Sequence, residues 1–386
     1  MKISNRAQEI EASLSRHLFD MAKSYDDVVD LTLGDPDIPP CQIIKDAANE
    51  AVQLNRLRYS ANAGLPMLRD AIARNFRAEY NIPADPAKNI IVTVGGMEAL
   101  FLSLACLIDN DDEVIIIAPY YVNYKQMVSM CGGKPVIVNT TQSSNYMPDS
   151  GEIEKAITDK TIAVIINTPS NPTGAVYDKK TLENIAFLAR KYDLCVISDE
   201  VYRTLIYDDL KHESIVNLPD MQERTVVIDS FSKRFAMTGY RLGYAIGPEK
   251  LVERMTKMQE NVAACSPVAS QYAGIAALEK CCGDTAIRDE FKKRRDYMYK
   301  ELSAIERISC RKPSGTFYLF VNVEATGLDG LEFAYRLLER EKVAVVPGIT
   351  YGAEYKNYIR IAYTLQRDRL EIAVERMKRF IENLTE

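Results

Sequence analysis

The sequence predicts an α/β fold, a mostly parallel sheet sandwiched by helices, with a smaller α+β domain. Short continuous apolar runs recur from about residue 40 to 280, and helix-like segments separate most of them. At 386 residues the chain has length for one large domain and a second, smaller one. After about residue 285 the alternation gives way to a long charged helix and then mixed strands and helices.

The buried runs are Ile90–Val94, Glu113–Ala118, Pro135–Val138, Ile162–Asn167, Leu194–Ser198 and Val226–Asp229. Residues 71–76 lie in an amphipathic helix, and Leu182–Tyr192 forms another after the turn at Asp178–Lys180. Beyond 285 the pattern predicts a helix at Arg288–Ile305, a strand at Thr316–Val323 and a helix at Leu331–Lys342. Strands at Ala344–Val346 and Tyr358–Tyr363 follow, then a final helix from Arg367. This divides the chain into an N-terminal segment (1–40) associated with the small domain, a large domain (41–285) and a small C-terminal domain (286–386).

Composition narrows the function. A formal charge of −6 supplies no basic stripe for nucleic acid or anionic lipid, so any bound anion needs a local cluster of donors. The N-terminal stretch MKISNRAQEIEASLSRHLFDMAKSY is charged throughout, and no run is apolar and long enough to span a membrane. The eight cysteines are scattered without a C-x-x-C pair and are expected to be reduced and mostly buried, in a cytoplasmic protein. Only His17 and His212 are present, without metal-ligand spacing, which disfavours zinc chemistry and a histidine-based triad. No G-x-G-x-x-G turn opens a helix after a strand, which disfavours a nicotinamide site.

The most informative segment is Ser230-Phe-Ser-Lys-Arg-Phe-Ala-Met-Thr-Gly-Tyr-Arg-Leu-Gly243. It follows a buried strand, at the sheet edge where open α/β sheets bind ligands. Lys233 there is flanked by small hydroxyl residues, with Arg241 eight positions on. An isolated Ser-x-x-Lys would be a surface loop, but here further strings accompany it. They are Gly95-Gly96-Met97 before a helix at Glu98–Leu107, Thr168-Pro-Ser-Asn-Pro-Thr-Gly174, Ile197-Ser-Asp-Glu-Val-Tyr202 and Tyr358-Ile-Arg-Ile-Ala-Tyr363. A glycine turn opening a helix presents free N–H groups and the positive dipole end to an anion.

Taken together, these strings resemble the class I and II aminotransferases, in order from Leu33-Gly-Asp-Pro-Asp37 to Arg360, and within them the aspartate/aromatic aminotransferase-like subgroup. The resemblance implies the fold type I architecture, with a sheet of seven strands, and pyridoxal phosphate held as a Schiff base on Lys233. It implies that Asp199 pairs with the pyridine nitrogen, while Tyr202 and Asn171 bond the ring oxygen. Gly95, Gly96, Met97, Ser230, Ser232 and Arg241 would surround the phosphate, with Glu98 turned away. Tyr121, rather than Tyr120, would stack on the ring where relatives commonly carry tryptophan. Tyr59, in Arg58-Tyr-Ser-Ala-Asn-Ala-Gly-Leu-Pro66, would reach the phosphate of a neighbouring subunit, making a homodimer with shared active sites. Arg360 would clamp the substrate carboxylate, helped by Asn171 and the backbone of Gly34.

The implied activity is ping-pong transfer of an amino group from an α-amino acid to a 2-oxo acid, with Lys233 as the proton carrier. A Cβ–S lyase or a cyclopropane-forming synthase would keep the same ring partners and Arg360. A non-catalytic cofactor-binding regulator is disfavoured because Lys233, Asp199, Tyr202, Asn171 and Arg360 are all present. The side chain of the amino donor stays open. Some acid-specific relatives carry lysine where this chain has Met97, which weakens an aspartate assignment without removing it, since an arginine from the partner subunit would serve as well.

Overall fold

The computed structural model describes residues 1–8, 10 and 14–385. Of the charged N-terminal stretch, residues 9 and 11–13 lie outside the described residues. The strands in chain order are β1 (Val29–Asp30), β2 (Ile90–Thr93), β3 (Glu113–Ala118), β4 (Lys134–Asn139), β5 (Thr161–Asn167), β6 (Cys195–Asp199), β7 (Thr225–Ser230) and β8 (Gly243–Ile246). They continue with β9 (Ser309–Cys310), β10 (Tyr318–Asn322), β11 (Val343–Ala344), β12 (Val346–Pro347) and β13 (Tyr358–Ala362).

The large sheet has seven strands in the order β2-β8-β7-β6-β5-β3-β4. Every pairing in it is parallel except the two made by β8, which runs against both β2 and β7. The six apolar runs read from the sequence are the six parallel strands. The seventh, β8, escaped that reading because, unlike the equally short β2, it begins at a glycine that breaks the apolar run. Gly243 is required there, since a Cβ would fall 2.5 Å from the backbone of Gly95 and Gly96. Strands β2, β3, β5, β6 and β7 are buried almost throughout, as expected for a sheet covered on both faces. Between them, Lys179–Lys191 starts at Asp178, whose carboxylate accepts the Thr181 N–H at 2.8 Å, and buries Leu182, Ile185, Ala186 and Leu188 against the sheet.

A second sheet, β12-β13-β10-β9, is antiparallel. β13 lies inside it, between β12 and β10, and helices Ala286–Ser303, Gly330–Glu341 and Arg367–Glu382 pack around it. Val29 and Asp30 pair with Val343 and Ala344, so the N-terminal segment returns to this C-terminal part. The expectation that the cysteines are mostly buried fails. All eight are free, but only Cys281 is buried, Cys41 is exposed and the rest are intermediate.

Candidate active site

All the parallel strands of the large sheet point their carboxyl ends to one edge. A cavity of about 560 Å³ opens there, against the face of the small sheet that carries Arg360 and Tyr318. Of the fourteen residues selected from the sequence, the structure brings twelve to its walls: Gly34, Gly96, Met97, Tyr121, Asn171, Asp199, Tyr202, Ser230, Ser232, Lys233, Arg241 and Arg360.

Lys233 lies in a one-turn helix, Phe231–Arg234, that starts directly from the last residue of β7. Ser230 caps it, its hydroxyl accepting the Ser232 N–H at 3.1 Å. The Lys233 ammonium donates to the Gly34 carbonyl at 2.5 Å. Burial pushes its pKa down to about 8, Arg360 and Arg241 also lower it, and Asp35 and Asp199 oppose the fall. A buried amine shifted this way is available as a base or nucleophile near neutral pH.

Asp199 is the final residue of β6 rather than the first after it. Its carboxylate accepts the Tyr124 O–H at 2.5 Å and the Val201 N–H at 3.3 Å. Burial nevertheless raises its pKa to about 6, against the lowering by those two donors, and Asp229 and Glu200 add to the rise. Among the described residues both donors to this carboxylate are neutral, an arrangement that a cationic ring partner would complete. Sequence reasoning missed Tyr124, although its spacing from Tyr121 is one that brings side chains to a common side. Tyr202, on the turn after Asp199, shares a hydroxyl–hydroxyl bond of 3.1 Å with Tyr318.

Asn171 is held from behind, its N–H donating to Asn167 Oδ1 at 2.8 Å, while the Asn167 amide donates to the Asp199 carbonyl at 3.0 Å. Its own Oδ1 accepts from Arg360 Nη1 at 3.2 Å. Arg360 is only 5 % exposed: β13 is an inner strand and Arg360 faces the cavity. Its Nη2 donates to the Thr32 carbonyl, but Nε is buried without an acceptor. That orphaned donor suits a carboxylate, which can engage a guanidinium at two points.

At the other end, the glycines are the first turn of the helix Gly95–Leu107 instead of a loop ahead of Glu98. Gly95 has φ +74°, and a Cβ on it would lie 2.7 Å from Arg241 Nη2. The space between turn and guanidinium is thus kept clear by the absence of a side chain. Gly95 itself sits behind the wall formed by Gly96. Glu98 turns back to accept the Val94 N–H at 2.5 Å and stays out of the cavity. Ser230 and Ser232 bond each other at 2.9 Å, and Arg241 Nη1 donates to the Thr238 carbonyl at 3.0 Å.

Tyr121 faces the cavity, whereas Tyr120 is turned away into the core. Asn123 donates to the Tyr121 oxygen at 3.0 Å and to Met97 Sδ at 3.4 Å, so these three side chains form one neutral patch. Tyr59 does not reach the cavity of its own chain. It stands 89 % exposed. Among the described residues no group of three or more His, Cys, Asp or Glu could hold a metal ion.

Residues 26–377 match the family described as aminotransferase class I and II. The chain belongs to that family. It is 42 % identical to an aspartate aminotransferase of Pyrococcus abyssi over 384 residues, 99 % of this chain and 98 % of that protein. It is 39 % identical to the aromatic-amino-acid aminotransferase 2 of Thermococcus litoralis, again over 99 % of this chain and 98 % of that one. The structure of a Thermus thermophilus aspartate aminotransferase with maleate superposes with a TM-score of 0.94 at 35 % identity, covering 98 % of this chain and 99 % of the other. Class I and II aminotransferases use pyridoxal phosphate, and this chain is an amino-acid aminotransferase of that class with the fold type I architecture. No helix among its described residues is long and apolar enough to cross a membrane.

Proposed function

We propose that this aminotransferase binds pyridoxal phosphate at Lys233 and works by ping-pong on α-amino acids with neutral side chains. The observation that carries the reading is the convergence of Lys233, Asp199 and Arg360 on one cavity. The residues fit the cofactor: the Gly95 turn and Arg241 leave an open anion cradle, and Asp199 is a buried carboxylate whose described hydrogen-bond donors are both neutral. Gly95, Gly96, Met97, Ser230, Ser232 and Arg241 would hold its phosphate, Asp199, Tyr202 and Asn171 its ring polar atoms, and Tyr121 its face. When bound, it supplies an electron sink for charge developing on the substrate Cα.

The protein does the rest. Arg360, with Asn171 and the backbone near Gly34, fixes the substrate carboxylate and so orients the Cα–H bond. Lys233 Nζ, lowered toward neutrality by burial, accepts the Cα proton. Asp199 holds a compensating negative charge, and Tyr202 donates to an oxygen whose charge changes. Both half-reactions use these groups in opposite directions.

Donor choice follows from a count of charges. Among the described residues lining the cavity the cations are Lys233, Arg241 and Arg360, and each already has a task. The remaining wall at Met97, Tyr121 and Asn123 is neutral, so a second carboxylate finds no partner within this chain, and a cation for it would have to come from the second copy.

Tyr59 supports a homodimer with shared sites. It is exposed, as are Val52, Leu54 and Leu57 a few residues before it, apolar side chains that a second copy would cover. The chain divides at 40/41 and 285/286 on this reading, because β1 pairs with β11 and most of the core around the small sheet comes from residues before 41 and after 285. A cytoplasmic setting is in keeping with the eight free thiols.

The test is a panel of amino donors with 2-oxoglutarate or pyruvate. Phenylalanine, tyrosine or leucine should yield the matching 2-oxo acid with kcat/KM above that of aspartate. The absence of any amino transfer, or release of a β-substituent together with free ammonia and pyruvate and no aminated acceptor, would sink the reading in favour of a lyase. Met97→Lys should raise kcat/KM for aspartate relative to phenylalanine.

A further inference from the structure

Tyr318 was not singled out by the sequence, yet it touches three separate parts of the site. It opens β10, is 2 % exposed and lines the cavity. Residues Tyr318 and Phe320 share a face of the sheet with Arg360, because Phe320 is the register partner of Arg360 and Tyr318 lies two positions along. The Arg360 guanidinium carbon sits 4.4 Å from the Tyr318 ring centroid. The Tyr318 hydroxyl is 3.1 Å from that of Tyr202. A Cβ on Gly34 would lie 1.8 Å from the same oxygen, and the Gly34 carbonyl is the acceptor for Lys233 Nζ.

We infer that Tyr318 is a positioning residue that joins the Arg360 clamp to Tyr202 and, through Gly34, to Lys233. The inference rests on the roles proposed above for Arg360 and Tyr202. Each tyrosine hydroxyl has one proton to donate. If Tyr202 spends its proton on the cofactor ring oxygen, the bond between the two tyrosines must run from Tyr318 to Tyr202. A donor behind Tyr202 polarises its O–H and strengthens what it donates in turn. The ring of Tyr318 does a second job, since a guanidinium over an aromatic face is restrained by attraction to it. Its oxygen does a third by occupying the space a side chain at Gly34 would need, so the chain can pass close enough for the Gly34 carbonyl to meet Lys233.

Two variants separate hydroxyl from ring. Tyr318→Phe keeps the face under Arg360 and removes only the hydroxyl. Its KM for the amino donor should stay within about twofold, while kcat falls about fivefold, as for one lost hydrogen bond. The pH midpoint of the bound cofactor's visible absorbance should rise, because weaker donation to the ring oxygen leaves the Schiff-base proton more tightly held. Tyr318→Leu removes the ring as well, and KM for the donor should rise about fivefold or more. In a Tyr202→Phe background, adding Tyr318→Phe should leave the absorbance midpoint where Tyr202→Phe put it. A Tyr318→Phe midpoint equal to wild type, or a shift that adds in full to that of Tyr202→Phe, overturns the coupling. A wild type that binds no cofactor overturns the functional reading as well, and the two failures are distinguished by the wild-type spectrum alone. Thermal unfolding of each variant identifies one that has lost its fold, and the Tyr202→Phe comparison then decides from the remaining variants.

Discussion

Replacing Asp199 by asparagine should stabilise the cofactor-free protein at alkaline pH while weakening cofactor binding. In the folded chain, burial holds this carboxyl at about 6, against its ordinary value of 3.8. A raised carboxyl pKa means that the folded state binds more protons than the unfolded one between those values, so stability is lost as pH rises through that window. Two pH units correspond to about 3 kcal/mol across the full window, of which about 1.4 kcal/mol lies between pH 5 and pH 8. Asparagine does not titrate, and it can still accept the Tyr124 hydroxyl. The stability difference between variant and wild type should therefore be about 1.4 kcal/mol more in the variant's favour at pH 8 than at pH 5. Urea unfolding of both cofactor-free proteins at several pH values measures it, and groups common to both cancel. In parallel, the cofactor dissociation constant should rise about tenfold or more, the value of one charge-assisted hydrogen bond. A difference that is flat with pH, or that shrinks toward pH 8, would refute the reasoning that burial raises the Asp199 carboxyl.

Arg360→Lys keeps the charge but loses the planar fork and the buried Nε, so KM for the amino donor should rise about 10- to 100-fold in steady-state kinetics, with a smaller effect on kcat. Gly95→Ala places a methyl group 2.7 Å from Arg241 at a positive φ, and equilibrium dialysis should show weakened binding of pyridoxal phosphate and of inorganic phosphate together. Lys233, held near 8 by burial, should be trapped by borohydride after reaction with pyridoxal at a rate that rises up to about pH 8 and then levels off. A rate still climbing steeply toward pH 10 would speak against that lowered pKa. Tyr59→Phe mixed with Lys233→Ala should give heterodimers that carry one fully wild-type site when sites are shared, and partial activity recovered on mixing would register it.

How much was legible in the sequence depended on how local the signal was. The parallel strands announced themselves because burial on both faces requires unbroken apolar runs, as in Glu113–Ala118 and Thr161–Asn167. Strand β8 did not, since four residues beginning at a glycine carry no such run. Lys233, Asp199, Asn171 and Gly95 were readable because each sits within a short string at the end of a strand, where neighbours in sequence are neighbours in the site. Tyr124 had a weaker signal, its spacing from Tyr121, and was passed over. Tyr318 had none: its relation to Tyr202, Gly34 and Arg360 spans 116 residues in the first case and depends on the docking of one sheet against another.

By itself, then, the sequence determined the fold class, the strand ends that carry the chemistry and the kinds of group placed there. The tertiary structure decided their ionisation and orientation. Whether Lys233 is held near 8 or Asp199 near 6 depends on desolvation and on charges brought close by folding, and neither is encoded in a local string. The same is true of the neutral wall at Met97, Tyr121 and Asn123, which is a statement about which cations are absent from a cavity, and a cavity exists only once the chain has folded.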